Sequence, residues 1–518
     1  MRDLAWKFLV CLLVLLPSLP LQSQESGQSP RESSSSTNAG TGELEQKLQT
    51  ISTALASTEQ QLEQSQRQIQ QLQEELAQVR KQLDNSKSVT TASPSVSDPT
   101  VAKDADDLKE RVETLEAQVK LHDQTKVESS SKYPLRLTGL ILFNSFINRG
   151  SVDNFDLPSI AVPHTAGLSN GGAGASMRQT ILGVEAFGPR IAGARTSAHV
   201  SLDFFGGLPL SNYGTSSGIV RMRTASVNFD WDRNLVQVGV VAPLISPLSP
   251  TSYATVAEPG MAWAGNLWTW APQLLVAHRF ETSSEQSFQL EFGLWDPPAA
   301  GYNTTGVFRT PSPGEQTSQP AYEGRVSYGS QTGEHTLQIG VGGYYSRQKY
   351  SNVVMGEYSY SGTNNSWAFT TDLRIPLSHR FELSGEGYRG RSLGGLGGGV
   401  YKDVLYGTDP ISGAPIIRGV NDIGGWTQFK TRFGQLLEAN ASVGLDNGFA
   451  GDFHSLVLPY ITTATQLRAR NRMVVGNLVY KPKSYLIFSP EYRRIWTWPI
   501  YGERSTADVF TFSVGYQF

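Results

Sequence analysis

The chain ends in FTFSVGYQF, residues 510–518, where Phe510, Phe512, Val514, Tyr516 and Phe518 alternate with Thr511, Ser513, Gly515 and Gln517. Chain ends fray unless something holds them. A two-residue period puts all five apolar side chains on one face of a strand. The stretch therefore predicts a terminal β-strand with one apolar and one polar face, paired up to its last residue.

Back from there to Pro134 the same alternation recurs in segments of about ten residues bounded by turn residues. Sixteen can be drawn, near 134–148, 176–188, 190–205, 219–230, 233–242, 272–282, 285–295, 320–330, 334–347, 365–375, 379–391, 422–432, 436–448, 470–481, 483–496 and 506–518. Their connections alternate in length. GPR, WDR, SS, SQTG, PLS, FGQ and KPK are tight, whereas 149–175, 243–271, 296–319, 392–421 and 449–469 are long. Short turns at one end and long loops at the other are the layout of an outer-membrane barrel. A closed barrel is also the β architecture that satisfies every backbone polar group in lipid. An even strand number puts both barrel termini on the short-turn, periplasmic side.

The first 133 residues have another character. Residues 1–23 combine Arg2 and Lys7 with an apolar run too short to span a bilayer, which predicts a secretory signal peptide. Cys11, the one cysteine, lies inside that run, so the exported chain has no thiol for a disulfide, a metal or a nucleophile. Residues 24–42 are a low-complexity linker. From 43 to 123, Leu48, Leu55, Leu62, Ile69, Leu76 and Leu83 repeat every seven residues, interleaved with Leu44, Ile51, Thr58, Ser65, Leu72 and Val79. That register predicts a periplasmic coiled coil, interrupted near 85–106, and its Leu and Ile pattern leans toward three or four strands rather than two, with a homotrimer the natural reading. Residues 124–133 link it to the barrel at 134–518.

A net charge of −3 predicts no nucleic-acid partner, and no helix-length apolar window follows the signal. Enzymatic signatures are missing too: the histidines are scattered, and His164 and Ser169 share a glycine-rich loop at an offset that does not pair a base with a nucleophile. No cofactor is expected.

Signal peptide, coiled coil, alternating strands and the terminal FSVGYQF together resemble bacterial outer-membrane porins, in layout closest to the DcaP-like trimeric porins with an N-terminal periplasmic coiled coil. The resemblance implies an all-β barrel with an inward third loop, passive diffusion of small hydrophilic solutes, and an assembly signal for the barrel-assembly machinery at Phe512, Val514, Tyr516 and Phe518. RMRTASVNFDWDRNLVQVGVVAPLISPLSPTSY, from Arg221 on, resembles the strands that lead into that loop.

Selectivity in such a channel comes from charge and diameter. Strand parity offers Arg195, His199, Arg221, Arg223, Arg279, Arg325, Arg374, Lys430 and Arg432 as lumen-facing bases, answered by Glu258, Glu291, Glu323, Asp372, Glu382 and Glu386. They could set a transverse field or merely pair on a solvated wall. Parity falters in one strand, because turning Arg221 and Arg223 inward leaves Ser226 and Asn228 outward, a conflict that a bulge or a polar subunit interface would resolve. Tyr253, Trp263, Trp268 and Trp270 could stack on solutes or pin the loop to the wall. The small outward residues Ala192, Ala194, Thr196 and Ala198 suggest a subunit contact or, equally, alanines facing lipid. The alternative to a channel is an outer-membrane anchor with a coiled-coil spacer.

Overall fold

In a computed structural model, residues 134–208, 218–300, 309–332, 335–458 and 468–518 are described. The signal peptide, linkers and coiled coil expected before Pro134 lie outside the described residues.

Nineteen strands follow in chain order: β1 Leu135–Arg149, β2 Gly171–Ser176, β3 Ile181–Phe187, β4 Arg195–Asp203, β5 Arg221–Asp230, β6 Asn234–Val241, β7 Ala271–Glu281, β8 Gln286–Trp295, β9 Ala321–Thr332, β10 His335–Met355, β11 Tyr358–Pro376, β12 Phe381–Arg391, β13 Val404–Thr408, β14 Pro415–Gly419, β15 Asn421–Phe433, β16 Leu437–Gly448, β17 Arg468–Lys483, β18 Leu486–Pro499 and β19 Ser505–Gln517. β13 and β14 form a separate hairpin. β2 and β3 both pair with β1, so they are two halves of one wall position broken by a turn at Met177–Thr180. The sheet is thus a closed antiparallel barrel of 16 strands.

The terminal alternation closes it. β19 pairs with β1 from Gln517 opposite Leu140 to Asp508 opposite Arg149. Gly139 and Phe518 then exchange both main-chain hydrogen bonds, at 2.9 and 3.0 Å. The chain end does not fray because it is the seam.

The two faces separate as the alternation requires. Phe288, Phe369 and Phe512 point outward and are 45 %, 54 % and 44 % exposed, whereas Asn471, Ser489 and Ser513 point inward and are 0 % exposed. Greasy outside and polar inside inverts the order of a water-soluble protein. It matches a barrel whose outer surface meets lipid.

Two details differ from the sequence reading. The link expected at 348–364 is strand rather than loop: β10 and β11 run on to a turn at Gly356, whose φ is +60°. Beyond the apolar belt their outward positions become polar, with Arg347, Lys349, Thr363 and Asn365 exposed, so this hairpin projects from the long-loop end. In β5 the parity conflict is resolved by a bulge. The pairing with β4 shifts between Ser201 and Leu202, which leaves an extra residue in β5 and puts Arg221, Ser226 and Asn228 all on the inner face.

Candidate functional site

The third long loop, residues 242–270, leaves β6 at the long-loop end and turns into the barrel. A buried loop needs partners for its backbone groups, and this one finds them on one wall strand after another. Leu244 N–H donates to Glu323 of β9 at 3.0 Å, and Leu248 N–H to Glu386 of β12 at 2.7 Å. Thr251 N–H donates to Gln428 of β15 at 2.7 Å, and the Ser252 hydroxyl to Glu491 of β18 at 2.5 Å. Val256 and Ala257 N–H then reach Gln179 in the β2–β3 break, at 2.7 and 3.0 Å. The loop is therefore a hoop laid along the inner wall. Pro243, Pro247, Pro250 and Pro259 suit it, since an extended proline chain carries fewer N–H groups to satisfy.

The far side of the hoop meets the β5 arginines. Arg221 and Arg223 donate to the carbonyls of Ala257 and Val256, each at 2.8 Å. Both also bind Asp203, which is fully buried: Arg221 through Nε at 3.1 Å and Nη2 at 2.7 Å, Arg223 at 3.0 Å. Their guanidinium groups stand 5.1 and 4.6 Å from the Trp270 ring. Asp203 thus answers the arginine pair, whereas Glu258 lies in the hoop and accepts a hydrogen bond from the Trp263 indole at 3.2 Å. Burial raises the Glu258 carboxyl to about 7, against the pull of that indole.

A second insertion joins the hoop. Residues 392–403, SLGGLGGGVYKD, follow β12 and fold inward. Gly399 and Val400 N–H donate to Asp422 of β15 at 2.7 Å and to Asp446 of β16 at 3.0 Å. Val400 and Tyr401 hold left-handed φ values of 45° and 66°, a strain this anchoring offsets. Lys402 is buried and donates to the carbonyls of Val400 and Arg468, and burial holds its ammonium pKa well below the usual range. Burial also raises the Asp403 carboxyl, to about 6, with the Ala300 and Gly395 N–H groups opposing.

The two insertions lock through aromatic rings. Trp263 meets Tyr401 edge-on at 4.8 Å and Trp268 at 5.9 Å, Trp268 meets Trp270 at 5.5 Å, and Trp268 N–H donates to the Leu396 carbonyl at 2.9 Å. Tyr253 stands apart, with the Lys481 ammonium 5.7 Å from its ring. Two apolar clusters fill the space between insertions and wall, one around Met261, Trp426 and Met473, the other around Ile245, Trp295 and Leu396.

From the hoop toward the short-turn end the inner wall carries paired charges. Arg325 binds Asp372 through two bonds of 2.8 and 2.9 Å and Glu291 at 2.5 Å. Lys430 pairs with Glu438 at 3.4 Å, and Arg432 with Glu382 at 2.9 Å. His199 lies 3.9 Å from Glu185. Arg195 is an exposed partner of Asp230 at 2.8 Å, and Arg279 is an exposed residue near the turn after β7. The wall bases thus come with acids beside them. Phe512, Val514, Tyr516 and Phe518 all lie on the outer face of β19.

Sequence reasoning missed Asp203, Gln179 and Glu491, and it named Glu386 only as a lumen acid, because nothing in a strand's own alternation says which inward acid a distant loop will reach. The glycine run Gly394–Gly399 was a visible signal of the second insertion.

A closed 16-strand barrel with a loop laid along its inner wall has the fold of an outer-membrane channel. No protein-family model and no curated protein matches the chain. Among solved structures it is similar to the outer membrane channel DcaP of Acinetobacter baumannii, with 14% identity and a TM-score of 0.55 over 75% of this chain and 99% of that one. An anion-selective porin from Comamonas acidovorans aligns at 12% identity and a TM-score of 0.44, over 75% of this chain and 100% of that one. OprB of Pseudomonas putida aligns at 11% and 0.43, over 76% and 96%. The likeness to DcaP establishes a shared fold.

Proposed function

We propose that the protein is a porin, a passive diffusion channel for small hydrophilic solutes across a bacterial outer membrane. The observation that carries this reading is the hoop: residues 244–257 bind β9, β12, β15, β18 and the β2–β3 break in turn. A loop held against the wall narrows a lumen while leaving its axis free, and a ring of fixed charges beside it sets selectivity. Arg221, Arg223 and Glu258 would act at that level, and Glu291, Arg325, Asp372, Lys430 and Arg432 along the wall below it. His199, Arg195 and Arg279 would meet the solute near the short-turn mouth. Trp263, Trp268 and Trp270 are assigned to pinning the insertions rather than to stacking on solutes, because their faces and edges are spent on one another.

In this reading the long loops face outward and residues 43–123 form a periplasmic coiled coil that holds a homotrimer. The terminal aromatic face serves recognition by the barrel-assembly machinery. One observation favours the second reading, a structural anchor: the apolar clusters occupy part of the lumen. Planar-bilayer recording separates the two. Stepwise ohmic conductance supports the channel, and silence from folded protein overturns it.

A further inference from the structure

The lipid face carries a feature that diffusion through the lumen does not use. On the outer side of β17, β18, β19 and β1, strand register stacks two kinds of rows. Nearer the long-loop end, Arg472 stands opposite Trp496, while Arg494 and Arg149 both stand opposite Asp508. One step further from that end, about 7 Å along the strands, Gly476, Tyr492, Phe510, Ile147 and Ala173 form a continuous row. These residues, with Leu478, Pro490 and Phe512, line an outward-open groove of about 830 Å³.

The basic rows are short of acid. Asp508 is committed to Tyr492, whose hydroxyl donates to it at 2.6 Å, and to Arg494 at 3.3 Å. Arg494 and Arg149 lie over Trp496 and Phe510, at 5.4 and 5.7 Å. Arg472 is exposed and has no hydrogen-bond or ion-pair partner among the described residues. Outward arginines are costly opposite hydrocarbon and stable at headgroup level, where phosphates lie. Trp and Tyr side chains belong at the same depth.

We propose that this face is a binding site for the phosphorylated acyl lipid of the outer leaflet, of the lipid A kind. Its phosphate rests on Arg472 and Arg494, and one acyl chain lies in the groove over Gly476. The site rests on the reading of the barrel as an outer-membrane protein with its long loops outward. A second copy of this chain fits the patch less well. At the same end of β4 to β9 the outward residues Leu202, Met222, Val240, Leu274, Leu294 and Tyr322 supply no carboxylate for the arginines.

The test is native mass spectrometry of the full chain, refolded in detergent and titrated with diphosphoryl lipid A, monophosphoryl lipid A or phosphatidylglycerol. Diphosphoryl lipid A should bind tightest. Occupancy should fall on the order of tenfold when Arg472→Ser and Arg494→Ser are combined, since two charge-assisted contacts are lost. Gly476→Leu should lower it similarly by filling the groove, and its Cβ meets nothing within 4 Å, so the strand backbone accepts the substitution. Equal occupancy in these variants, or phosphatidylglycerol binding as well as lipid A, overturns the site. A changed oligomeric state in Gly476→Leu with unchanged lipid occupancy overturns it in favour of a subunit contact. Conductance of the same samples judges the channel reading separately, because lipid occupancy is read from mass alone.

Discussion

Asp203 holds two guanidinium groups and is itself fully buried, which makes it the most consequential single carboxylate at the hoop. Breaking a buried ion pair by removing one partner costs about 3 kcal/mol or more, because the other charge stays desolvated. Asp203→Asn should therefore lower thermal stability by that order. It should also shift the zero-current potential toward anions, since Arg221 and Arg223 lose their counter-charge; an unchanged potential would show that neither faces the ion path. Glu258 gives a pH dependence. Its carboxyl is raised to about 7, so the folded chain holds a proton there that the unfolded chain has released above its ordinary 4.5. Stability from this group falls as pH rises between those values and is level above them. Between pH 6 and 8 the hoop gains negative charge beside Arg221, so anion preference should decline, and Glu258→Gln should remove that decline in a bilayer recording.

At the scale of elements, two insertions share one space. The hoop is held by hydrogen bonds to one wall strand after another, Arg221 and Arg223 of β5 among them, whereas the 392–403 insertion relies on Asp422, Asp446 and the contact of Tyr401 with Trp263. Replacing 393–402 by a short glycine link should widen the route while leaving the hoop in place. Single-channel conductance is expected to rise about twofold, and an unchanged value would put the narrowest point at the hoop alone. The strands themselves were legible because lipid outside and polar groups inside enforce a strict two-residue period. The exceptions have physical causes. The bulge in β5 shifts parity by inserting a residue, which the pattern marks as a conflict without placing it, and the β10–β11 hairpin continues beyond the apolar belt, where alternation of apolar residues is no longer required.

For the whole molecule, closure rests on the chain end. Removing Phe518 deletes both main-chain bonds to Gly139 and one aromatic of the outward face. Membrane yield should drop sharply while the conductance of the molecules that do insert stays the same; normal yield would refute a role in assembly. If residues 43–123 hold a homotrimer as proposed, deleting them should weaken that assembly without unfolding the barrel, as read by gel mobility with and without heating and by circular dichroism.

The sequence by itself determined the barrel, its strand count and its asymmetric ends, because each of these follows from local period and turn chemistry. The tertiary structure decided which charges meet. Arg221 and Arg223 find Asp203 rather than Glu258, Glu386 and Glu491 become loop anchors, and a glycine run becomes a second insertion. These pairings join residues up to hundreds of positions apart across a lumen, and alternation along one strand carries no information about what stands opposite it.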